Sequence, residues 1–238
     1  MLFMRISKYY SPNYDLKQRS VKSITSIIIH YTGMQSERES LKKLTNSRSK
    51  VSCHYFINRK GKIFQLVQDK FIAWHAGKSK WHTFKNLNKN SIGIELVNRG
   101  HKWGYQNFPK KQISALANLC KKLKKKYKIK NRFILGHSDI APLRKIDPGE
   151  KFPWDYLFSI GIGIYPEKYK IYEKTDSKNM ISFFNNLRKI GYRYLSVKSR
   201  KRVIKSFQIR FRQKKIDGLI DQETYKISSI LAKKLNKS

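Results

Sequence analysis

Acidic residues are scarce in this chain, which has 15 Asp and Glu against 53 Lys and Arg and a formal net charge of +38 at pH 7. An excess of this size attracts polyanions such as nucleic acid, an anionic surface or an anionic cell-wall polymer. The basic residues are spread along the whole chain, however, and Lys, Ile, Asn, Tyr and Phe are abundant together. Because those residues share AT-rich codons, genome composition alone could produce much of the charge. The sequence leaves both explanations open.

Long apolar runs and cysteines are also lacking. No segment approaches the roughly 18 consecutive apolar residues of a membrane-spanning helix, so we expect no membrane span. The first residues show neither the apolar core of a secretory signal peptide nor a cysteine for a lipid anchor. The two cysteines, Cys53 and Cys120, cannot form a disulfide framework and are expected to be buried thiols.

The hydrophobic content predicts a folded α/β (α+β) domain. Hydrophobic residues make up 39% of the 238-residue chain and aromatic residues 13%, which is enough for a core and excludes global disorder. Short β-branched runs predict strands, and apolar residues spaced three or four apart predict helices. The predicted strands lie at 21–32, in a hairpin at 54–67, at 91–98 and at 131–137, and the predicted helices at 37–47 and 109–128. This mixture indicates a central mixed β-sheet flanked by helices.

The last part of the chain has a different pattern. Residues 165–178 are polar and lack periodicity, which is typical of a linker. Helical spacing of apolar residues then returns in three segments, at 179–190, 199–212 and 221–235. We therefore predict a small C-terminal three-helix domain of about 60 residues, a size that is marginal but viable for independent folding.

Six histidines and a few carboxylates are the candidates for chemistry, since the motifs HExxH and CxxC are absent. Glu95 lies in an apolar strand, where it is either a functional group or half of a structural ion pair with one of the many lysines. His30 and His137 each end a predicted strand, and Asp147 follows Lys145 by two residues in a turn. Two histidines and an aspartate make a sound zinc ligand set that leaves a position for water. Spacing alone does not separate this set from other combinations.

A series of short motifs follows in order between residues 20 and 166. The motifs are IIHYT (28–32), VSCHY (51–55), AWHAG (73–77), SIGIEL (91–96), GHSDIAP (136–142), RK (144–145), DPG (147–149) and FPW (152–154). In order and approximate spacing they resemble the zinc-dependent N-acetylmuramoyl-L-alanine amidases of the Amidase_2 type, the AmpD/AmiD-like group. The AWHAG and FPW blocks are closer to the AmiD-like branch.

The resemblance implies roles for individual residues of this chain. It implies one zinc ion per chain, with three ligands: His30, His137 and Asp147. It also implies that Glu95 is the general base near the zinc-bound water and that Lys145 stabilises the oxyanion. His54 and His75 match further motif positions, where we expect site shaping or substrate contact; hydrogen-bonded core histidines are the alternative for both.

The C-terminal segment resembles a peptidoglycan-binding three-helix domain. The matching residues include Gly191-Tyr192, Phe207-Gln208, Phe211-Arg212 and Asp217-Gly218. An appendage without affinity for glycan is the alternative. We therefore divide the chain into an N-terminal arm (1–20), a zinc amidase domain (21–166), a linker (167–178) and a peptidoglycan-binding-like domain (179–238).

The implied function is hydrolysis, by a zinc-activated water, of the amide bond between N-acetylmuramic acid, or its anhydro form, and L-alanine. The implied substrate is bacterial peptidoglycan or a muropeptide. A catalytically silent peptidoglycan-recognition protein is the alternative, although it would not need the full residue set. Specific nucleic-acid binding is not expected, because the lysines are diffuse and the aromatic residues lie at core spacing. The sequence leaves open the compartment, cytoplasm or periplasm and cell envelope, and the oligomeric state.

Overall fold

A computed structural model of the chain describes residues 5–167 and 180–236. The strands in these ranges are β1 (Ile6–Lys8), β2 (Tyr14–Asp15), β3 (Ser26–Tyr31), β4 (Tyr55–Ile57), β5 (Ile63–Gln65), β6 (Ile72–Ala73), β7 (Lys80–Trp81), β8 (Phe84–Lys85), β9 (Ser91–Leu96) and β10 (Ile134–Gly136). The helices are α1 (Glu37–Thr45), α2 (Lys110–Tyr127), α3 (His137–Ile140), α4 (Trp154–Ser159), α5 (Met180–Ile190), α6 (Arg200–Phe211) and α7 (Gln222–Asn236). In the described ranges, no helix combines the length and the apolar character needed to cross a bilayer.

Six strands form the central sheet in the order β1-β5-β4-β9-β3-β10. The four strands β4, β9, β3 and β10 run parallel to one another, whereas β5 runs antiparallel to β4 and carries β1 parallel at the edge. The predicted fold class, a mixed sheet with helices around it, is confirmed. The parallel register places the carboxyl ends of β3, β9 and β10 side by side, because parallel strands end at the same edge of a sheet.

Local sequence explains several of these elements. In β3, five of six residues are buried, as expected for a parallel strand covered on both faces. The predicted hairpin is β4 and β5, and its turn needs Gly61 at φ +83°, where a Cβ atom would also lie 2.6 Å from the Lys111 carbonyl oxygen. Ser36 caps α1 by accepting a hydrogen bond from the Glu39 amide. Cys53 and Cys120 are free and buried, as predicted.

The two faces of the sheet support separate hydrophobic clusters. On one face, Ile27, Ile29, Ile92 and Ile94 pack with the apolar residues of α2 and α4. On the other face, Ile28 packs with α3 and with the C-terminal helices. Side chains alternate along a strand, so odd and even positions of β3 serve different layers. His30 lies on the same face as Ile28, toward the second cluster.

The C-terminal helices occupy the three segments predicted for them, as α5, α6 and α7. The apolar residues of these helices do not form a separate core. Phe183, Leu187 and Phe207 belong to the same hydrophobic cluster as Ile28 and Leu135 of the sheet. Most of the predicted linker falls at 168–179, outside the described residues. The domain boundaries at 20, 166 and 178 stay predictions.

Candidate metal centre and active-site cleft

Three parallel strands bring the candidate site residues to one sheet edge. In the pairing of β3 with β9, His30 lies opposite Glu95 near the carboxyl end of both strands. His137 is the first residue after β10, which pairs with β3 so that Gly136 lies opposite Ile29. Asp147 reaches the same place from the turn that follows α3, where the Ser138 amide donates to the Asp147 carbonyl oxygen at 2.9 Å. The fold therefore gathers residues that are far apart in the chain.

The side chains of His30, His137 and Asp147 converge on one point, and we call them the metal cluster. The distance between the two Nδ1 atoms is 2.9 Å, and each Nδ1 lies 3.1 Å from Asp147 Oδ2. All three residues are buried and form a group suited to holding a metal ion. Ligands held about 2.1 Å from a tetrahedral ion lie roughly 3.4 Å from one another, so the observed triangle is only slightly tighter than a zinc site requires.

The contacts of the Nε2 atoms of His30 and His137, which point away from the metal cluster, indicate which ring nitrogens carry the protons. His137 Nε2 is 3.2 Å from the Ala76 carbonyl oxygen, an acceptor, and 3.3 Å from Arg144 Nη2, a donor that also binds that carbonyl oxygen. We assign the proton to Nε2, because this leaves Nδ1 free to bind a metal ion. His30 Nε2 is 3.1 Å from His75 Nδ1, and the other nitrogen of His75 lies 3.2 Å from Ser91 Oγ, whose hydroxyl donates to Leu87 O. A consistent chain has His30 Nε2–H donating to His75 and His75 Nε2–H donating to Ser91.

These tautomers leave three lone pairs facing one another. Both Nδ1 atoms are then unprotonated, and Asp147 adds a carboxylate oxygen at about the same distance. Repulsion between these acceptors is offset by a cation at their centre, either a shared proton or a metal ion. The donor set, two imidazoles and a carboxylate, thus fits a divalent metal ion, and the hydrogen bonds to Ala76 and His75 orient the two rings from behind.

Burial and charge hold two members of the cluster, His30 and Asp147, in the protonation states that bind metal. Burial and the nearby His137 lower the pKa of His30 to about 4, so its imidazole is neutral at pH 7. Burial works to raise the pKa of Asp147, but His137 and His30 outweigh it and hold that pKa well below the usual range. Neutral imidazole and ionised carboxylate are the ligand forms that metal ions require.

Glu95 differs from Asp139 and Asp147 because one of its buried carboxylate oxygens has no hydrogen-bond partner among the described residues. Its Oε2 atom is shielded from solvent and makes no hydrogen bond within the described residues. Burial and the negative charge of Asp147 raise the pKa of Glu95 to about 8, although Lys145 and Lys43 act in the opposite direction. A carboxyl with a pKa near neutrality and an unused oxygen is suited to exchanging protons with a reactant.

The metal cluster and Glu95 lie in one cleft of about 540 Å³. Lys145 lines this cleft, as do three further cations that sequence reasoning did not single out as site residues: Lys43, Lys102 and Arg144. Trp74 and Ile146 add apolar surface. Arg144 belongs to the RK motif, but in a chain with 53 basic residues nothing in the sequence distinguishes Lys43 and Lys102 from the rest, so only the fold identifies those two.

The structure places His75 and His54 behind the metal cluster. His75 lines the cleft but is buried against His30, and a Cβ atom at Gly93 would come within 2.3 Å of its ring. His54 is fully buried, accepts from the Gly93 amide at 3.0 Å and lies 2.8 Å from Arg19 Nη2. Their contacts are those of hydrogen-bonded core histidines; contact with substrate stays a prediction for both.

Comparison with known proteins places this site in context. Residues 20–150 match the family Amidase_2, described as N-acetylmuramoyl-L-alanine amidase. The chain is 35% identical to the N-acetylmuramoyl-L-alanine amidase AmiD of Escherichia coli over 91% of its own length and 85% of that protein. The matched range, 20–150, contains the residues that line the cleft.

Two solved structures share the whole fold. The complex of Escherichia coli AmiD with the substrate anhydro-N-acetylmuramic acid-L-Ala-D-gamma-Glu-L-Lys superimposes with a TM-score of 0.80 and 33% identity, covering 94% of this chain and 93% of that one. AmpDh3 of Pseudomonas aeruginosa in complex with anhydromuramic pentapeptide gives a TM-score of 0.83 and 30% identity, covering 98% of this chain and 99% of that one.

Proposed function

The chain belongs to the Amidase_2 family of N-acetylmuramoyl-L-alanine amidases, and from this premise we propose that it hydrolyses the bond between N-acetylmuramic acid and L-alanine in muropeptides or peptidoglycan. The observation that supports this most strongly is the metal cluster with its three converging lone pairs beside the unpartnered oxygen of Glu95. Hydrolysis of an amide needs an activated water, a base and a group that stabilises the oxyanion. The cleft contains a candidate for each.

His30, His137 and Asp147 are proposed as the ligands of one zinc ion. A zinc ion bound there would supply a water molecule of lowered pKa and would polarise the scissile carbonyl. The protein's contribution is to orient both rings, through the contacts of His137 Nε2 with Ala76 O and of His30 Nε2 with His75, and to keep the His30 imidazole neutral. His75 is therefore proposed as a residue that orients His30 rather than one that binds metal.

Glu95 is proposed as the general base. Its ionised carboxylate takes a proton from the attacking water and then passes that proton to the amine nitrogen of the departing L-alanine. Burial beside Asp147 raises the pKa of Glu95, which strengthens it as a base once it is ionised. Because its Oε2 has no partner among the described residues, no protein hydrogen bond has to break before the proton moves.

Lys145 is proposed as the cation that stabilises the developing oxyanion. It lines the same cleft as the metal cluster, and its charge lowers the pKa of Glu95, so the ammonium group acts within the site. Lys43, Lys102 and Arg144 extend the positive lining. A cleft with this charge suits a stem peptide, which carries carboxylates, better than a neutral peptide.

Product analysis tests the proposal directly. The purified protein is incubated with a muropeptide, with and without a zinc chelator, and the products are identified by mass spectrometry. We expect release of the free stem peptide and the muramic sugar, loss of both products with chelator, and recovery on adding Zn²⁺. Comparing an anhydro-muropeptide, an intact muropeptide and polymeric sacculus in the same assay identifies the preferred substrate.

Two results would contradict the proposal. Cleavage that is insensitive to chelator would remove zinc from the mechanism. Intact substrate in every condition, with zinc bound to the protein, would support the recognition protein that the sequence left as the alternative, and binding of glycan would then be measured instead.

A further inference from the structure

A second polar cluster lies behind the metal cluster and joins the amidase sheet to the C-terminal helices. It consists of Asp139, Tyr192 and Arg210, and we call it the anchor cluster. Asp139 forms an ion pair with Arg210 of α6, and its Oδ1 accepts from the Tyr192 hydroxyl at 2.6 Å. Asp139 and Arg210 are each 1% exposed. Among the described residues, Arg210 is the only cation that forms an ion pair with Asp139.

The turn that carries Asp139 also carries a proposed metal ligand. Helix α3 comprises only His137–Ile140, and a single helical turn is not stable on its own. Its geometry therefore depends on its neighbours. Asp139 Oδ2 accepts from the Gly136 amide at 2.8 Å, which fixes the start of the turn, and the Ser138 amide donates to Asp147 O, which couples the turn to a second metal ligand.

Helix α6 holds this turn at two points. Arg210 binds Asp139 through Nη1, donates through Nη2 to the Ile134 carbonyl oxygen at 3.0 Å, and has its guanidinium carbon 4.1 Å from the centre of the Trp154 ring. One turn earlier, Ser206 Oγ donates to the Ser138 carbonyl oxygen at 2.7 Å. The side chain of Arg210 thus bridges the last strand of the sheet, the turn after it and a core aromatic residue.

From these contacts we infer that Arg210 is a positioning residue for the metal site, and that the C-terminal helices form part of the amidase rather than a separable appendage. The inference rests on the proposed function, because it requires His137 and Asp147 to bind metal. Arg210 does not approach the metal cluster itself. It acts through Asp139 on the turn that sets the position of His137 Nδ1 relative to His30 and Asp147, and Ser206 of the same helix acts on that turn through Ser138.

The chain offers a matched control in Arg212, two residues further along. Arg212 is also buried, and its guanidinium pairs with Glu223 at 3.0 Å and with Asp221, both of them in or next to α7. Its contacts therefore stabilise the C-terminal helices without reaching α3. Arg210→Lys and Arg212→Lys each keep the charge and lose the planar fork of donors, so a general weakening of the helices affects both variants.

The experiment measures zinc affinity by chelator competition and records the visible absorption spectrum of the Co²⁺-substituted full-length protein. Mutation of a group that hydrogen-bonds to a metal ligand typically lowers metal affinity 10–100-fold. Arg210 contacts Asp139 and not a proposed ligand itself, so for Arg210→Lys we expect a loss of about tenfold. Its Co²⁺ bands shift at saturating metal. Arg212→Lys keeps wild-type affinity and bands, even if both variants unfold at lower urea concentration. Ser206→Ala, which removes a single contact, gives a smaller loss of affinity in the same direction.

Three outcomes separate the possibilities. If Arg210→Lys and Ser206→Ala match Arg212→Lys in affinity and spectrum while His137→Ala loses the metal, the positioning role is wrong and the proposed metal site stands. If His137→Ala keeps wild-type affinity, the proposed site is wrong and the positioning role is lost with it. If Arg210→Lys cannot be purified in a folded form, the zinc affinity and Co²⁺ spectrum of Ser206→Ala are compared with those of Arg212→Lys, and this comparison decides whether α6 positions the metal site.

Discussion

The metal cluster and the anchor cluster lie on the two sides of one short turn, and both are buried among apolar residues. His30, His137 and Asp147 are 1%, 3% and 6% exposed, and Asp139, Tyr192 and Arg210 are 1%, 0% and 1% exposed. Burial therefore does not distinguish them. They differ in hydrogen-bond balance: Asp139 receives donors from Gly136, Tyr192 and Arg210, whereas the acceptors of the metal cluster face one another.

This difference separates a structural site from a ligand site. In the anchor cluster the protein itself supplies the positive charge that a buried carboxylate requires. In the metal cluster three possible ligand atoms converge on a position that suits a cation. A buried polar group whose hydrogen bonds are all made within the protein stabilises the fold. A buried acceptor in a cleft that lacks a hydrogen-bond donor indicates the kind of ligand that the cleft binds.

The largest effect should follow from removing one acceptor of the metal cluster. His30→Ala is expected to lose bound zinc and to reduce amidase activity to background, because two ligands do not retain the ion. It should also abolish the thermal stabilisation that zinc provides, about 2.7 kcal/mol at a hundredfold excess over the dissociation constant. Metal analysis and thermal unfolding measure both effects. His101→Ala, at an exposed histidine outside the cluster, is the control, and zinc retained by His30→Ala would contradict the ligand assignment.

Glu95→Gln tests whether the unpartnered carboxylate is the base. The change preserves shape but removes the group that takes the proton, so kcat should fall about 10²–10⁴-fold while zinc remains bound. Glu150→Gln changes a carboxylate that is already paired with His101 at 3.0 Å and should keep most of the activity. Steady-state kinetics with metal analysis distinguish the two. Wild-type turnover by Glu95→Gln would remove Glu95 from the mechanism.

Lys145→Met tests the cation of the cleft. Loss of a group that stabilises a developing oxyanion typically costs about 10²–10³ in kcat, and we expect an effect of that size with little change in zinc content. Lys102→Met, which removes another lysine from the same cleft, should mainly raise KM. If both lysines affect KM alone, Lys145 binds substrate and the oxyanion has another partner.

Two aspartates sharpen the contrast between the clusters because their loss should cost different amounts of stability. Asp139→Asn removes the counter-charge of buried Arg210, and the free energy of unfolding should fall by about 3–5 kcal/mol. Asp147→Asn leaves no buried arginine unpaired, so the metal-free protein should lose less stability than with Asp139→Asn, although Asp147→Asn no longer binds zinc. Urea unfolding in the presence of chelator measures both variants. Equal destabilisation would show that the two clusters are alike.

The smallest expected effect concerns the pH dependence of catalysis in the cleft that contains Glu95. Glu95 acts as a base only when ionised, so kcat/KM should fall as the pH drops through its pKa, which burial raises to about 8 in the metal-free protein. The positive charge of Lys43 lowers that pKa, and Lys43→Met should therefore move the acid limb of the pH profile to higher pH. Lys42→Met, at an exposed neighbour on the same helix, is the control. An unshifted limb would mean that another group controls it.

Much of the fold could be predicted because it depends on local patterns. The β-branched run in β3, the glycine turn between β4 and β5 and the three- and four-residue spacing in α2 each specify an element without reference to the rest of the chain. Strand β1, with only three residues, carries no such signal, and its parallel pairing with β5 depends on long-range contact. The same holds for the placement of α6 against α3.

The candidate site divides in the same way. The resemblance of the ordered motifs to the Amidase_2 family was enough to nominate His30, Glu95, His137, Lys145 and Asp147, and the fold brings these residues into one cleft. The role of Asp139 was not visible, although a scarce acidic residue two positions after His137 was a usable signal. Its partners Tyr192 and Arg210 lie 53 and 71 residues further along the chain, beyond the reach of any local pattern.

The sequence by itself determined the elements, the family and the residues that could carry the chemistry, because these depend on residue type and on spacing along the chain. The tertiary structure alone decided which polar groups are satisfied. Whether a buried carboxylate lies beside an arginine or beside two imidazole rings depends on segments that come together only on folding. That balance of donors and acceptors makes Asp139 an anchor and Asp147 a proposed metal ligand.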